Sequence, residues 1–154
     1  MNDYIDTVRA KIGHDPLMLV GAGVFVHRDG RLLLQRRKDD GTWADHGGCL
    51  ELGETLEDTA RRELAEETGL TAGKLELLGV FSGAERTHVY PNGDQVFMIG
   101  VYYLCEDFSG DLRPQAEEVA DLRWFPLDSL PADIMPLSKE PLARCLELLR
   151  ARHG

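Results

Sequence analysis

The spacing of hydrophobic side chains changes several times along the chain, and each change predicts a different element. Apolar residues recur at helical spacing from Tyr4 to Ile12, which predicts an N-terminal helix that ends at Gly13. Runs of apolar residues predict five strands, at 17–27, 31–37, 75–82, 95–105 and in the sequence LRWFP at 122–126. The turn sequence RDGR joins the first two strands.

A second helix is predicted from its capping residues. Thr55 and Asp58 have the spacing of a capping box. In this motif the side chain of each residue accepts a hydrogen bond from the backbone N–H of the other. The helix is predicted to run to about Thr68, with Gly69 ending it. The sequence KDDGTWADHGG, which precedes this region, is predicted to be a loop.

A last helix is predicted near the C-terminus, with Ser138 as its N-cap and Pro141 in its first turn. Its apolar face consists of Leu142, Leu146 and Leu149. Strands and helices alternate irregularly, so the predicted fold class is α/β, with a mixed sheet between helices. With no repeat or linker, residues 1–154 are predicted to form a single domain.

Composition and charge narrow the classes of partner. The chain is 43% apolar and 29% charged, which is typical of a globular protein. A net charge of −10 argues against a nucleic acid polymer as partner, because binding a phosphate backbone needs a basic face. The negative net charge does not argue against a small phosphate ligand, because carboxylates can hold divalent cations that reverse the local charge.

The three cysteines, Cys49, Cys105 and Cys145, are an odd number without metal-like spacing. They are interpreted as reduced thiols, so the predicted location is cytoplasmic. The N-terminus lacks the pattern of a signal peptide, and the longest apolar run is too short to span a bilayer. No association with a membrane is therefore expected.

Three acids crowd one turn of the second helix. Glu63, Glu66 and Glu67 fall within an arc of roughly 100° on a helix. The neighbouring stripe, which should face the core, consists of Leu56, Ala60 and Leu64. The acids therefore lie at the margin of the buried face, where desolvation raises carboxyl pKa values unless a cation compensates. Oxygen-rich clusters suit hard ions such as Mg²⁺. The alternative interpretation is an ordinary solvated face.

The surroundings of these acids favour the metal site. Residues 48–70 resemble the Nudix box, which is Gly, five residues, Glu, seven residues, then Arg-Glu-aliphatic-any-Glu-Glu-any-Gly-aliphatic. All nine specified positions match, and they are Gly48, Glu54, Arg62, Glu63, Leu64, Glu66, Glu67, Gly69 and Leu70. From average residue usage, a chance match in a chain of this length has a probability of roughly one in ten million.

The resemblance implies a fold and a reaction. The fold would be a mixed sheet sandwiched between helices, with the box forming a loop–helix–loop. The reaction would be hydrolysis of a diphosphate linkage in a nucleoside diphosphate derivative, a small molecule such as a nucleoside triphosphate or an ADP-ribose-like compound. Mg²⁺ or Mn²⁺ would be the cofactor. Many family members are dimers, so the resemblance is compatible with a homodimer.

The resemblance also assigns roles within the box. Glu63, Glu66 and Glu67 would be metal ligands, and the Gly47 carbonyl a further ligand. Either Glu63 or a carboxylate outside the box would take the proton of the attacking water. Arg62 could orient Glu54 or Glu63 by an ion pair.

Some candidates lie outside the box. Family enzymes often use a further Glu from a later loop, and of Glu85, Glu117 and Glu118 we favour Glu118 as a metal ligand. Arg36 and Arg37 end a strand and so face opposite sides. One is expected to meet the substrate phosphates, with Arg37 favoured.

Two further residues near the box have open interpretations. Trp43 could stack on a base or pack in the core. His46 stands where the family commonly has Pro, and we interpret it as a tolerated turn residue, with contact to phosphate or metal as the alternative.

The substrate's leaving group is left open by the sequence. In some ADP-ribose hydrolases of the family a proline lies about sixteen residues past the box, and here that position is Arg86. Other subfamily signatures are also lacking, so a nucleotide with no named base is expected. The principal rival is a non-catalytic Nudix-fold nucleotide sensor. Such domains typically lose box acids, whereas this chain keeps Glu54, Glu63, Glu66 and Glu67.

Overall fold

The computed structural model of the chain describes residues 3–153, and within them it contains three α-helices and ten strands. The helices are α1 (Asp3–Ile12), α2 (Leu56–Thr68) and α3 (Pro136–His153). The strands are β1 (Leu17–Arg28), β2 (Arg31–Arg37), β3 (Trp43–Ala44), β4 (His46–Cys49), β5 (Thr71–Ala72), β6 (Glu76–Phe81), β7 (Thr87–Val89), β8 (Gln95–Cys105), β9 (Phe108–Ser109) and β10 (Val119–Pro126). A 3₁₀ turn, Ala84–Arg86, precedes β7.

Eight of the strands form one sheet, whereas the sequence predicted five strands. The sheet is mixed, as predicted. Its backbone order is β10–β2–β1–β8–β6, with β3, β4 and β7 pairing to β2, β1 and β8. β1 and β8 run parallel, from Leu17 opposite Val96 to Val26 opposite Cys105. The other pairs in this sheet are antiparallel. β5 and β9 form a separate antiparallel pair.

Helices cover both faces of the sheet, which confirms the predicted layered α/β fold. On one face, Ala60 and Leu64 of α2 pack with Val24 and Tyr103 of the central strands. The second core lies on the other face, where α3 packs on the sheet through residues that include Leu142, Cys145 and Leu149. Burying these side chains is the main favourable contribution to the fold. It also fixes α2, which carries the acids, against the sheet.

Local signals set the ends of α2 as predicted. The Thr55 hydroxyl accepts the backbone N–H of Asp58, and the Asp58 carboxylate accepts that of Thr55. Gly69 ends the helix in the left-handed region, at φ 82°. A residue with a Cβ is strained there, so glycine suits this position.

The start of α3 differs from the prediction. The helix begins at Pro136, so Ser138 lies inside its first turn and is not the N-cap. The Ser138 side chain is 1% exposed, and its hydroxyl donates to Asp45 Oδ1 at 2.5 Å. The tertiary partner explains the serine, which the sequence interpretation had assigned to a cap.

The predicted loop before the box is in part a strand. β4 pairs antiparallel with β1, from Gly21 opposite Cys49 to Val24 opposite His46. Gly47 makes this close pairing possible, because a Cβ there would overlap the Ala22 carbonyl oxygen. The start of the box is therefore fixed to a central strand.

Two further findings concern the cysteines and the helices. Cys49, Cys105 and Cys145 are free thiols. Among the helices of residues 3–153, none has the length and apolar character needed to cross a bilayer.

Candidate active site

Arg62 joins the two ends of the box. Its Nε and Nη2 donate to the two carboxylate oxygens of Glu54, at 2.8 and 2.9 Å. Its Nη1 donates to Glu63 Oε1 at 2.9 Å. This bidentate hydrogen bonding from Arg62 lowers the pKa of Glu54 to about 2. Arg62 therefore orients both of the acids that the sequence named as alternatives.

Glu63 lies against the glycine loop. A Cβ on Gly48 would overlap the Glu63 carboxylate, so the first residue of the box must be glycine for this acid to stay in place. The Glu63 side chain is 17% exposed. Its burial raises its pKa, Arg62 opposes that shift, and the negative charges of Glu66 and Glu118 add to it.

Glu67 is the most buried acid of the box, at 5% exposure. The Gly47 backbone N–H donates to its Oε1 at 3.0 Å, and Gln35 Nε2 donates to its Oε2 at 2.8 Å. Burial, with a contribution from the charge of Glu63, raises the pKa of Glu67 to about 8. This carboxyl is therefore mainly protonated at neutral pH, and a nearby positive charge would favour its ionised form.

His46 is a buried strand residue, so its interpretation as a turn residue was wrong. Its ring is fully buried, and Nε2 donates to the Leu33 carbonyl at 3.0 Å. Nδ1 then accepts from Gln35 Nε2 at 3.1 Å. Burial lowers the pKa of His46 to about 4, so the ring is neutral at pH 7. Through Gln35, His46 helps to position Glu67.

The box acids are not arranged as a finished metal centre. Within the described part of the chain, no three His, Cys, Asp or Glu side chains are grouped so that they could hold an ion as they stand. Glu63 is turned toward Arg62, Glu67 toward Gly47 and Gln35, and the Glu66 side chain is 51% exposed. The chemistry of the donors, which are all oxygens, nevertheless fits Mg²⁺ or Mn²⁺.

A cavity of about 520 Å³ opens beside Glu67. Its wall includes Gly47, Glu118 and Arg37 as well as Glu67, so four predicted site residues from separate segments meet there. Glu117 lines it too. Arg37 donates through Nε and Nη2 to the carboxylate of Asp39, at 3.0 and 2.6 Å.

Two of the predicted substrate residues lie elsewhere. Arg36 precedes Arg37 on β2 and is exposed, as expected for the neighbour that faces the other side of the strand. Trp43 is 6% exposed, and its ring packs edge-on against Phe125 at a centroid distance of 4.8 Å. The structure therefore places Trp43 in the core, the packing alternative, and base stacking is not supported by this position.

A second cavity of about 460 Å³ adjoins the first. The two share five lining residues, which are Arg37, Asp39, Ala44, Asp45 and Gly47. The second is lined by five glycines, namely Gly21, Gly23, Gly47, Gly48 and Gly100. Arg86, Tyr102 and Leu137 also line it, with His88 and Tyr90. The two cavities therefore adjoin along their five shared residues, and Glu67 of α2 lies on the wall of the first.

Sequence reasoning missed Gln35, Asp45 and the location of Arg86. Gln35 had a usable signal, since it is two residues from Arg37 on a strand and so faces the same side. Asp45 lies in the segment interpreted as a loop, and burial raises its pKa although Ser138 donates to it. Nothing local marks it as part of a site.

These features agree with comparisons to known proteins. The family model described as "NUDIX domain" matches residues 18–145, and the chain belongs to the Nudix family. A "MutT-like protein" from Streptomyces ambofaciens is 38% identical over 71% of this chain and 64% of its own length. An "ADP-ribose pyrophosphatase" from Methanocaldococcus jannaschii is 33% identical over 70% of this chain and 61% of its own length.

A solved structure supports the same assignment. The crystal structure of a MutT Nudix hydrolase from Burkholderia pseudomallei matches 83% of this chain and 98% of its own chain, with a TM-score of 0.72 and 32% identity. The chain spans less than two thirds of the length of the two curated relatives.

Proposed function

We propose that this protein hydrolyses a diphosphate linkage in a small nucleoside diphosphate derivative, with Mg²⁺ or Mn²⁺ as cofactor. The observation that carries the proposal is the pair of Glu63 and Glu67. Both carboxyls are largely withdrawn from water, and each lies near further negative charges. Those of Glu66 and Glu118 raise the pKa of Glu63. Those of Glu63 and Asp45 raise the pKa of Glu67. Such an arrangement is unfavourable in isolation and becomes favourable when cations bind beside it.

The cations would be held by five groups, which are the carboxylates of Glu63, Glu66, Glu67 and Glu118 and the carbonyl of Gly47. When bound, the metal neutralises the diphosphate charge and lowers the pKa of water beside it. Most of the catalytic effect in phosphoryl chemistry comes from positioning and charge stabilisation.

Glu63 is the proposed general base. Arg62 donates to its Oε1, which fixes the carboxylate and leaves Oε2 to accept a proton from the attacking water. Glu118, on the wall of the first cavity, is the alternative base outside the box. Arg62 and Glu54 are proposed to hold Glu63 in position, because they form one hydrogen-bonded unit with it.

In this proposal the substrate spans both cavities. The phosphates occupy the first cavity, near Arg37 and Glu67, and the rest of the nucleotide occupies the second. The relatives' names, a MutT-like protein and an ADP-ribose pyrophosphatase, support nucleoside triphosphates and ADP-ribose as the compounds to test.

The test is turnover of a nucleotide panel with Mg²⁺ or Mn²⁺. Nucleoside triphosphates, oxidised variants, ADP-ribose, NADH and dinucleoside polyphosphates are incubated with the purified protein, and products are separated by chromatography. The proposal expects cleavage of at least one compound and its loss in Glu63→Gln. Binding without turnover across the whole panel would favour the non-catalytic nucleotide sensor.

A further inference from the structure

Arg86 is a buried cation at the wall of the second cavity. It ends the 3₁₀ turn Ala84–Arg86, and it is 3% exposed. Its Nε donates to the Met98 carbonyl at 3.2 Å and its Nη1 to the Leu137 carbonyl at 2.9 Å. Its Nη2 donates to the Tyr102 hydroxyl at 2.8 Å. All three acceptors are neutral.

The hydrogen bonding of this guanidinium is incomplete. A guanidinium has five N–H groups, and these bonds use three of them. One N–H on each terminal nitrogen therefore has no acceptor among the residues that the structure describes. The carboxylate of Asp45, which lines the same cavity, interacts with Arg86 through its charge but forms no hydrogen bond or salt bridge with it among those residues. A buried N–H group that has no acceptor is costly. The position is explained if a bound ligand supplies two acceptors.

The cavity beside Arg86 suits a flat ring. Five of its lining residues are glycines, so bare backbone forms much of its wall. Gly100 is necessary for the position of Arg86, because a Cβ there would lie 2.6 Å from Arg86 Nη2. His88 and Tyr90 also line this cavity, where they pack edge to face with ring centroids 4.5 Å apart and offer aromatic surface to a base.

We propose that Arg86 is a specificity-determining residue that recognises a 6-oxopurine, guanine or hypoxanthine, by donating its two remaining N–H groups to O6 and N7. The inference rests on the proposed function, since it names the nucleotide class that this site hydrolyses. Guanine has the acceptors O6 and N7 side by side, the pair that a guanidinium binds with two hydrogen bonds. Adenine has an amino donor in place of O6, which opposes the donors of Arg86.

The unmodified protein provides the first test. We compare kcat/KM for GTP, ITP, ATP and 7-deaza-GTP, which lacks the N7 acceptor. GTP and ITP should exceed ATP by roughly 10- to 100-fold, the range that corresponds to one bidentate contact. 7-deaza-GTP should be several-fold poorer than GTP. Equal use of ATP and GTP, or no effect of removing N7, would overturn the inference.

The second test changes the recognising group. A Gln side chain pairs with N6 and N7 of adenine, so Arg86→Gln should shift the ratio of kcat/KM values from GTP toward ATP. A merely structural Arg86 would change stability or overall activity and leave that ratio unaltered. Arg123→Gln is the matched control, because this arginine is 60% exposed and pairs with Asp121. If Arg86→Gln does not fold, the nucleotide comparison on the unmodified protein decides.

The two proposals fail in different ways. If no nucleotide is hydrolysed, the proposed function is wrong, and the base preference is measured as binding of GDP and ADP by calorimetry. Tighter binding of GDP then upholds the role of Arg86, and equal binding overturns it. If hydrolysis occurs without base preference, only the inference fails.

Discussion

Replacing Glu67 by Gln tests the idea that this acid is held in an unfavourable state until a cation binds. The carboxyl is 5% exposed, and its pKa is raised to about 8 from an ordinary value of 4.5. The folded protein therefore binds a proton at Glu67 that the unfolded chain releases at lower pH. This group contributes stability that is fully present below pH 4.5 and is lost as pH rises through about 8.

The size of the effect follows from the shift. Each pH unit between the two pKa values changes the free energy of unfolding by up to about 1.4 kcal/mol, so the wild type should lose roughly 3 kcal/mol by pH 7 through this group. The amide of Gln cannot ionise and avoids that loss. It offers one acceptor oxygen in place of two, so one of the hydrogen bonds from Gly47 and Gln35 is weakened. That costs about 1 kcal/mol. The variant should be more stable than the wild type by about 2 kcal/mol at pH 7.

The assay is urea unfolding at pH 6, 7 and 8 in EDTA. The wild type should lose about 2 kcal/mol more than Glu67→Gln between pH 6 and pH 8. Glu66→Gln is the control, because its side chain is 51% exposed and its ion pair with Arg62, at 3.5 Å, is open to solvent. Mg²⁺ should stabilise the wild type and have less effect on Glu67→Gln. A variant less stable than the wild type at pH 8 in EDTA would refute the reasoning.

Three further outcomes are expected. Glu63→Gln should lower turnover by at least about 100-fold in the nucleotide assay, because it removes the proposed base. Gly48→Ala should also lower turnover, since the added methyl overlaps the Glu63 carboxylate, and thermal unfolding measures the accompanying strain. The third outcome concerns His46, whose pKa is lowered to about 4. Unfolding measurements should show the wild type losing roughly 3 kcal/mol relative to His46→Gln as pH falls from 6.5 to 4, because the unfolded state binds the proton first.

Each outcome has a result that contradicts it. Full activity of Glu63→Gln would show that another group, with Glu118 the first candidate, takes the proton. A fully active Gly48→Ala would mean that the contact between this loop and Glu63 does not matter for turnover. An identical acid dependence of the wild type and His46→Gln would show that the histidine titrates normally.

Short-range signals made the box helix predictable. The capping box at Thr55 joins residues three apart, and Gly69 is required by a left-handed backbone, so both depend on neighbours in sequence. The margin position of Glu63 and Glu66 also followed from helical periodicity, because Glu63 is half-buried and Glu66 is exposed beside the buried Leu64. Glu67 was predicted at the same margin, but it is buried at 5% exposure.

Contacts across the fold could not be predicted in the same way. Ser138 had a cap-like position in sequence, but its hydroxyl donates to Asp45, 93 residues away. His46 lies in a stretch that the sequence predicted to be a loop, yet its ring donates to the Leu33 carbonyl of β2. Arg86 drew attention only as a departure from a subfamily pattern, and its burial beside Gly100 depends on how β7 and β8 pair. Such partners are set by tertiary packing and not by local propensity.

The measurement that tests the central claim most directly is cleavage of the best nucleotide of the panel by wild type and Glu63→Gln, each in Mg²⁺ and in EDTA, followed by phosphorus NMR. The account predicts breakage of the diphosphate linkage by the wild type in Mg²⁺, with little or none in the other three reactions. Equal cleavage in EDTA, or by Glu63→Gln, would contradict the claim that the box acids and a divalent cation carry the reaction.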